Sequence, residues 1–219
     1  MAKQRSSLAM KLLVLGATGR TGARVVDRAL DQGHSVRAVV RDPGKLAAAG
    51  DRLEVVKGSA TDPAVLERAV VGQDAVVCAI GPRSPAALVR CDLMRSSMNA
   101  LVPAMEREGV ARLVLLSALG AGASASVAPV PLRLAFRTIL HAVGKDKRES
   151  EHYVRASGLD WTIVYPPALT TGPGTGSYRA GEALRVSGVP KISRADLAEF
   201  MVGQVRSPTY RRKSAVVSS

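Results

Sequence analysis

The chain is poor in aromatic residues: Phe, Trp and Tyr make up 3% of its 219 residues. Platforms on which nucleic-acid bases could stack are therefore scarce. Cysteine is scarcer still. Cys78 and Cys91 form no C-x-x-C motif and have no metal-ligand spacing, so no metal site is expected. Both read as reduced, structural thiols of a cytoplasmic protein. Long apolar runs are also missing. The uncharged stretch LVLLSALGAGASASVAPVPL, residues 113–132, is broken by Gly, Ser and Pro, which argues against a membrane span. The opening MAKQRSSLAMKLLVLG is basic then apolar, but its apolar part is short, β-like and without an A-x-A site, so it is not read as a signal peptide.

Acids are outnumbered, 18 against 31 basic residues, giving a net charge of +13. Lys3, Arg5 and Lys11 at the start and Arg206, Arg211, Arg212 and Lys213 at the end carry 7 of those charges. Residues 1–10 and 206–219 are thus expected to be basic tails around a mildly basic body. Such a body suits an anionic small ligand, and with so few aromatics specific nucleic-acid binding is not expected.

What the chain does have is 47% hydrophobic residues, enough for one substantial core. Strand-like runs lie at 11–15, 35–40, 53–56, 74–80, 112–117 and 161–165. Helix-like runs lie between them at 20–32, 43–49, 63–71, 85–108 and 145–157. Short apolar strands alternating with helices predict an α/β fold of the Rossmann type: a doubly wound, mostly parallel sheet with helices on both faces. The expected domain spans 11–205. The segments 83–92, 119–142 and 167–190 read as substrate loops, and 166–190, rich in Gly, Pro and Ser, as long and irregular. Ser193 is a plausible N-cap for a closing amphipathic helix.

The most informative stretch is LLVLGATGRTG, residues 12–22. A strand runs into Gly16, Ala17, Thr18, Gly19, Arg20, Thr21 and Gly22, and a helix follows. In that setting the glycines fit a dinucleotide-binding turn. Gly16 permits the turn, Gly19 lets backbone approach a pyrophosphate, and Gly22 lets helix pack on strand. The helix N-terminus offers free N–H groups to phosphate. At the end of the second strand, where an acid would hold the ribose hydroxyls of NAD, stands Arg41, with Asp42 next and Lys45 nearby. Arginine grips a 2′-phosphate by its forked geometry, so NADP(H) is expected over NAD(H).

GATGRTG together with VVRDP, GSATD, DAVVCAIG, LVLLSALGAG and SGLDWTIVYPPAL resembles the atypical short-chain dehydrogenase/reductases. The chain is most similar to their NAD(P)H-binding, NmrA-like group, which includes the flavin reductase/biliverdin reductase B type. The likeness runs from about Lys11 to Gln204 and is specific for fold and cofactor rather than substrate. It implies that Ala60 and Thr61 flank the adenine, and that Ala79, Ile80 and Gly81 pass the cofactor ribose. It further implies that Asn99, Ser117 and Lys147 are active-site residues, with Lys147 gripping the nicotinamide ribose. Pro166, Pro167, Ala168 and Leu169 would form the loop beside the nicotinamide.

The chain departs from that pattern in one respect. Many relatives carry an acidic tyrosine in Y-x-x-x-K, and four residues before Lys147 stands Val143. The group that would protonate an alkoxide is missing, which disfavours a conventional alcohol dehydrogenase. Biliverdin and flavin reductase relatives also do without it. Hydride transfer to a stacked, conjugated acceptor depends mainly on positioning. The expected function is an NADPH-dependent reductase of a flat, hydrophobic acceptor such as a flavin, quinone or tetrapyrrole. A non-catalytic NADP(H)-sensing regulator, or an isomerase or dehydratase of a small metabolite, stays open. His141 with Lys145 forms an H-x-x-x-K pair of the kind that arises by chance; His152 and Tyr153 read as packing or surface, and His34 is given no role. Tyr165 replaces a residue often basic in relatives and either lines the pocket or is core. Residues 129–142 read as an apolar helix: a lid, a dimer interface or plain surface. Monomer and homodimer are both open.

Overall fold

Eight strands form one sheet in the order β3-β2-β1-β4-β5-β6-β10-β8. The computed structural model describes residues 9–46, 50–82 and 91–219. In chain order the strands are β1 (Lys11–Leu15), β2 (Ser35–Val40), β3 (Leu53–Lys57), β4 (Ala75–Cys78), β5 (Arg112–Leu116), β6 (Asp160–Tyr165), β7 (Ala168–Thr170), β8 (Arg179–Gly181), β9 (Lys191–Ser193) and β10 (Lys213–Ser218). The described helices are α1 (Arg20–Asp31), α2 (Pro63–Val70), α3 (Leu93–Arg107), α4 (Val130–Arg137), α5 (His141–Ala156) and α6 (Arg194–Gln204). Neighbouring strands are parallel except β8, which runs antiparallel to β10. β7 and β9 make a separate parallel pair.

Alternation along each strand sends side chains to two cores. Leu13 and Leu15 of β1 face the layer of α2, α3 and α5, with Leu66, Met98, Leu101 and Val154. Leu12 and Val14 face the layer of α1 and α6, with Val25, Val26, Leu197 and Met201. The central strands are buried on both faces, which is why they read as unbroken apolar runs. This is the doubly wound, mostly parallel α/β sheet expected from the sequence.

Local chemistry sets the helix boundaries. Asp62 caps α2, its carboxylate accepting from Ala64 and Val65 N–H, with Pro63 at the first helical position. Ser193 caps α6 as expected, accepting from Asp196 N–H at 3.0 Å, while its hydroxyl donates to the Asp196 carboxylate at 2.8 Å. Asp196 also accepts from the N–H groups of Thr175 and Gly176, at 2.7 and 2.8 Å, so the cap holds the preceding loop as well.

Several expectations need correction. Residues 213–218 are no basic tail: β10 pairs with β6 and β8, and Ala215, Val216 and Val217 are buried. The flanking Arg211, Arg212 and Lys213 masked a three-residue apolar core that is buried among strands and helices distant in sequence. Lys11 begins β1, in line with the strand expected at 11–15; residues 1–8 of the expected N-terminal tail lie outside the described residues. The expected helix at 43–49 is a 3-10 turn over Pro43–Lys45, and 47–49 lie outside the described residues. The helix expected from 85 begins at Leu93, with 83–90 outside the described residues, including most of the 83–92 loop. The apolar run 129–142 is broken at Thr138, which leaves helical geometry at φ −118° and ψ −94°. Its second half starts α5. The irregular stretch 166–190 contains β7 and β8.

Candidate cofactor and active site

The carboxyl ends of β1, β4, β5 and β6 converge on one edge of the sheet, where doubly wound folds bind their ligands. The glycine turn leaves β1 there. Gly16 has φ +83°, and a Cβ on it would meet the Ala79 carbonyl oxygen at 2.7 Å. A Cβ on Gly22 would overlap the Gly16 carbonyl oxygen. The turn is therefore tight on both sides, and α1 starts directly over the end of β1. Gly19 is the N-cap of α1 and supplies no side chain, and no acid stands in the first turn. That N-terminus thus offers its N–H groups to an anion, as a pyrophosphate site requires. Ala17, Thr21 and Gly22 are buried; Thr18 and Gly19 are half-buried; Arg20 is exposed at the mouth.

Arg41 is exposed at the end of β2 and makes no ion pair with any described residue. Asp42, the residue that could have held ribose hydroxyls, is engaged in its own turn. It accepts from Gly44 N–H at 3.2 Å and lies 3.3 Å from the Lys45 ammonium. Ala60 and Thr61 follow β3, half-buried, with the Thr61 hydroxyl 2.8 Å from that of Ser59.

Beyond β4, Ala79 and Ile80 are buried. Ile80 and Gly81 line a small pocket with Pro82, Cys91, Leu93, Met94, Val143, Asp146 and Lys147. The structure thus brings the expected ribose strip and the expected lysine together. Lys147 is 7% exposed, and burial pushes its ammonium below the usual range, opposed by Glu151 and Asp146. Val143, in the place of the absent tyrosine, is 5% exposed on the same wall. Asp146 accepts from Met94 N–H at 3.0 Å and Arg95 N–H at 2.9 Å, so α5 caps the start of α3. The Cys91 thiol donates to the same carboxylate at 3.0 Å. Burial first, and then the bond to Asp146 and its charge, push that thiol up to about 11.

Ser117 follows β5 and is 4% exposed. Its hydroxyl donates to Glu151 Oε1 at 2.5 Å, and the Tyr165 hydroxyl donates to Glu151 Oε2 at 2.5 Å. Tyr165 is 2% exposed, and burial together with Glu151 raises its phenol above the ordinary range. The loops after β5 and β6 are tied by Leu119 N–H donating to the Pro166 carbonyl at 2.9 Å. Pro166 and Pro167 are buried, Ala168 exposed and Leu169 half-buried. Arg194, at the start of α6, donates to the Leu169 carbonyl at 3.2 Å.

Asn99 is not brought to this site. α3 buries Met94, Ser97, Met98 and Leu101, and Asn99 projects to solvent. Burial of that face is set by α2 and α5, which local sequence does not reveal. His141, Lys145, His152 and Tyr153 are likewise exposed. Glu151 was not singled out from the sequence. It stands one helical turn after Lys147 in KRESE, a run that reads as a solvated face. Spacing of four from Lys147 was the available signal.

Fold and turn together define a dinucleotide-binding protein of the Rossmann type. The chain belongs to the NAD(P)H-binding family, whose match covers residues 16–208. It is 34% identical over 213 residues to the (4-alkanoyl-5-oxo-2,5-dihydrofuran-3-yl)methyl phosphate reductase of Streptomyces griseus, covering 94% of this chain and 67% of that protein. It is 32% identical to a chloroplastic protein of Arabidopsis thaliana over 76% of this chain and 62% of that one. The chain thus spans about three fifths to two thirds of the length of these relatives. Among solved structures, a Veillonella parvula short-chain dehydrogenase/reductase in complex with NADP superposes with TM-score 0.79 at 20% identity, over 97% of this chain and 95% of that one. The anaerobilin reductase ChuY of Escherichia coli O157:H7 superposes with TM-score 0.78 at 23% identity, over 94% and 96% of the chains. At those identities the likeness is one of fold.

Proposed function

We propose that the protein is an NADPH-dependent reductase of a flat, conjugated acceptor such as a flavin, quinone or tetrapyrrole. The observation that carries this is the conjunction at one sheet edge of an uncapped glycine turn, Lys147 and Ser117, with Val143 where an alcohol dehydrogenase would hold its acid. NADPH, when bound, supplies the hydride. The α1 N-terminus binds the pyrophosphate, and Arg41 with Arg20 binds the 2′-phosphate. Ala60 and Thr61 flank the adenine. Lys147 holds the nicotinamide ribose against Ile80 and Gly81. Ser117 and the Pro166–Leu169 loop orient the nicotinamide and acceptor.

The reductase relative supports oxidoreductase chemistry, and the fold shared with an anaerobilin reductase is compatible with a tetrapyrrole-like acceptor. Among the described residues no helix is long and apolar enough to cross a membrane. Free Cys78 and Cys91 fit a reducing compartment such as the cytoplasm. The missing acid at Val143 also favours a second reading, an NADP(H)-sensing regulator. Titrating NADPH by its fluorescence, then following its oxidation with FMN, riboflavin, a quinone and biliverdin, separates the two. Turnover with any acceptor supports the reductase. Tight binding without oxidation overturns it in favour of the sensor.

A further inference from the structure

Glu151 lies behind Ser117, 2% exposed, in a setting the proposed chemistry does not use. Among the described residues, every hydrogen-bond partner of its carboxyl group is a donor. Ser117 Oγ reaches Oε1 and Tyr165 Oη reaches Oε2, both at 2.5 Å, and Ala123 N–H approaches Oε2 at 3.4 Å. Gly122 makes this closure possible: at φ +51°, a Cβ there would overlap Glu151 Oε2. The direction of the chain of bonds follows from its far end. Arg155 Nη2 donates to Tyr165 Oη at 3.2 Å and to Ser214 Oγ at 2.6 Å, with the guanidinium 4.7 Å from the Trp161 ring centre. A guanidinium has no acceptor atom. Tyr165 therefore accepts from Arg155 and directs its own proton to Glu151. With Glu151 taken as the carboxylate, both of its oxygens accept, and Ser117 also directs its proton there. No described residue donates to Ser117 Oγ, so its lone pairs are not claimed by any described donor.

We propose that Glu151 is a positioning residue that fixes Ser117 as a hydrogen-bond acceptor toward the cleft, so that the group Ser117 reads on the acceptor molecule is an N–H donor. This rests on the reductase reading and narrows its substrate class. Ser117 does not protonate a carbonyl oxygen, because its proton is committed to Glu151. Suitable acceptors are conjugated heterocycles carrying an imide or pyrrole N–H, whose reduced form takes its proton from water. Simple ketones, which need an acid at the oxygen, receive none from Ser117.

The hydroxyl protons provide a test in the free protein. Short bonds to a buried carboxylate place them downfield of the amide region in a proton NMR spectrum. The expected result is two such resonances, both lost in Glu151→Gln, one lost in Ser117→Ala and the other in Tyr165→Phe. Their absence from the wild type, or persistence of the serine resonance in Glu151→Gln, overturns the positioning role. If Glu151→Gln does not fold, the Ser117→Ala and Tyr165→Phe assignments decide.

The ligand arm uses the NADP⁺-saturated protein with lumiflavin and its 3-methyl derivative, followed by flavin fluorescence. One lost hydrogen bond corresponds to about tenfold weaker binding of the methylated flavin to wild type. That preference is expected to vanish in Ser117→Ala. Equal binding by wild type, an unchanged preference in Ser117→Ala, or no binding of either flavin overturns the N–H donor assignment. Failure of NADPH oxidation across all acceptors overturns the reductase reading and leaves the resonances to be judged separately.

Discussion

Gly22 sits so close to the Gly16 carbonyl oxygen that a methyl group on Gly22 would overlap it. The contact joins the first turn of α1 to the first residue of the turn leaving β1. It fixes where the helix N-terminus points. Gly22→Ala must push the two apart, at a cost of about 1–3 kcal/mol for forcing in an extra methyl group. The expected outcome is NADPH binding weakened at least about tenfold, measured by nicotinamide fluorescence. Unchanged affinity would show that the turn does not hold the pyrophosphate.

In the proposed reading, Arg41 sets the choice of cofactor. Its guanidinium is exposed and free of ion pairs among the described residues, while Asp42 is occupied by Gly44 and Lys45. A hydrogen bond to a charged group contributes about 1.5–3 kcal/mol. Arg41→Ala is therefore expected to weaken NADPH binding by about tenfold or more and to leave NADH affinity nearly unchanged. The measurement is the ratio of the two dissociation constants. An unaltered ratio would sink the 2′-phosphate assignment.

Asp146 links stability to thiol chemistry. It caps α3 through the Met94 and Arg95 N–H groups and accepts from the Cys91 thiol. Removing such a cap costs about 0.5–2 kcal/mol. For a chain of this size, Asp146→Ala is expected to lower Tm by about 2–4 °C per kcal/mol lost. It also removes the carboxylate that helps hold the Cys91 thiol up at about 11. Alkylation of Cys91 by iodoacetamide at mildly alkaline pH should accelerate. Wild-type reactivity in the variant would show that burial alone suppresses the thiolate.

His34 gives the protein an acid-side liability. It is 3% exposed, and its Nδ1 accepts from Met10 N–H at 3.1 Å, which requires the neutral ring. Burial, and then the charge of Arg206, lower its pKa from 6.5. Below about pH 6.5 the unfolded chain binds a proton that the folded chain resists, so stability falls with falling pH. Above that value neither state is protonated and the effect is absent. Denaturant melts of His34→Gln should show a loss of about 1 kcal/mol at pH 8 for the disturbed hydrogen bond, and a flatter decline between about pH 6.5 and 5. An equal acid slope in both proteins would assign the decline to other groups.

Most of the central sheet was legible because its strands are buried on both faces and so carry continuous apolar runs. LLVLG, SVRAVV, AVVC and RLVLL each name a strand without reference to anything distant. The glycine turn was legible for a related reason: only glycine tolerates φ +83° at position 16 and the close approach at position 22. The pairing of Ser117 and Lys147 on one edge followed from a family resemblance rather than from spacing. Asn99, assigned by the same resemblance, failed because helix rotation is decided by the neighbours a helix packs against.

What the sequence alone determined is a doubly wound α/β fold with a dinucleotide turn at its first β–α junction. Both rest on local signals: residue burial period, and backbone angles that exclude a side chain. Tertiary structure alone decided that the basic C-terminal segment is an interior strand, because β6 and β8 supply the pairing and the two core layers supply the cover. It alone carries the proposed polarity of Ser117. That depends on Glu151, Tyr165 and Arg155, where a donor-only guanidinium 38 residues further along the chain fixes which way each intervening proton points.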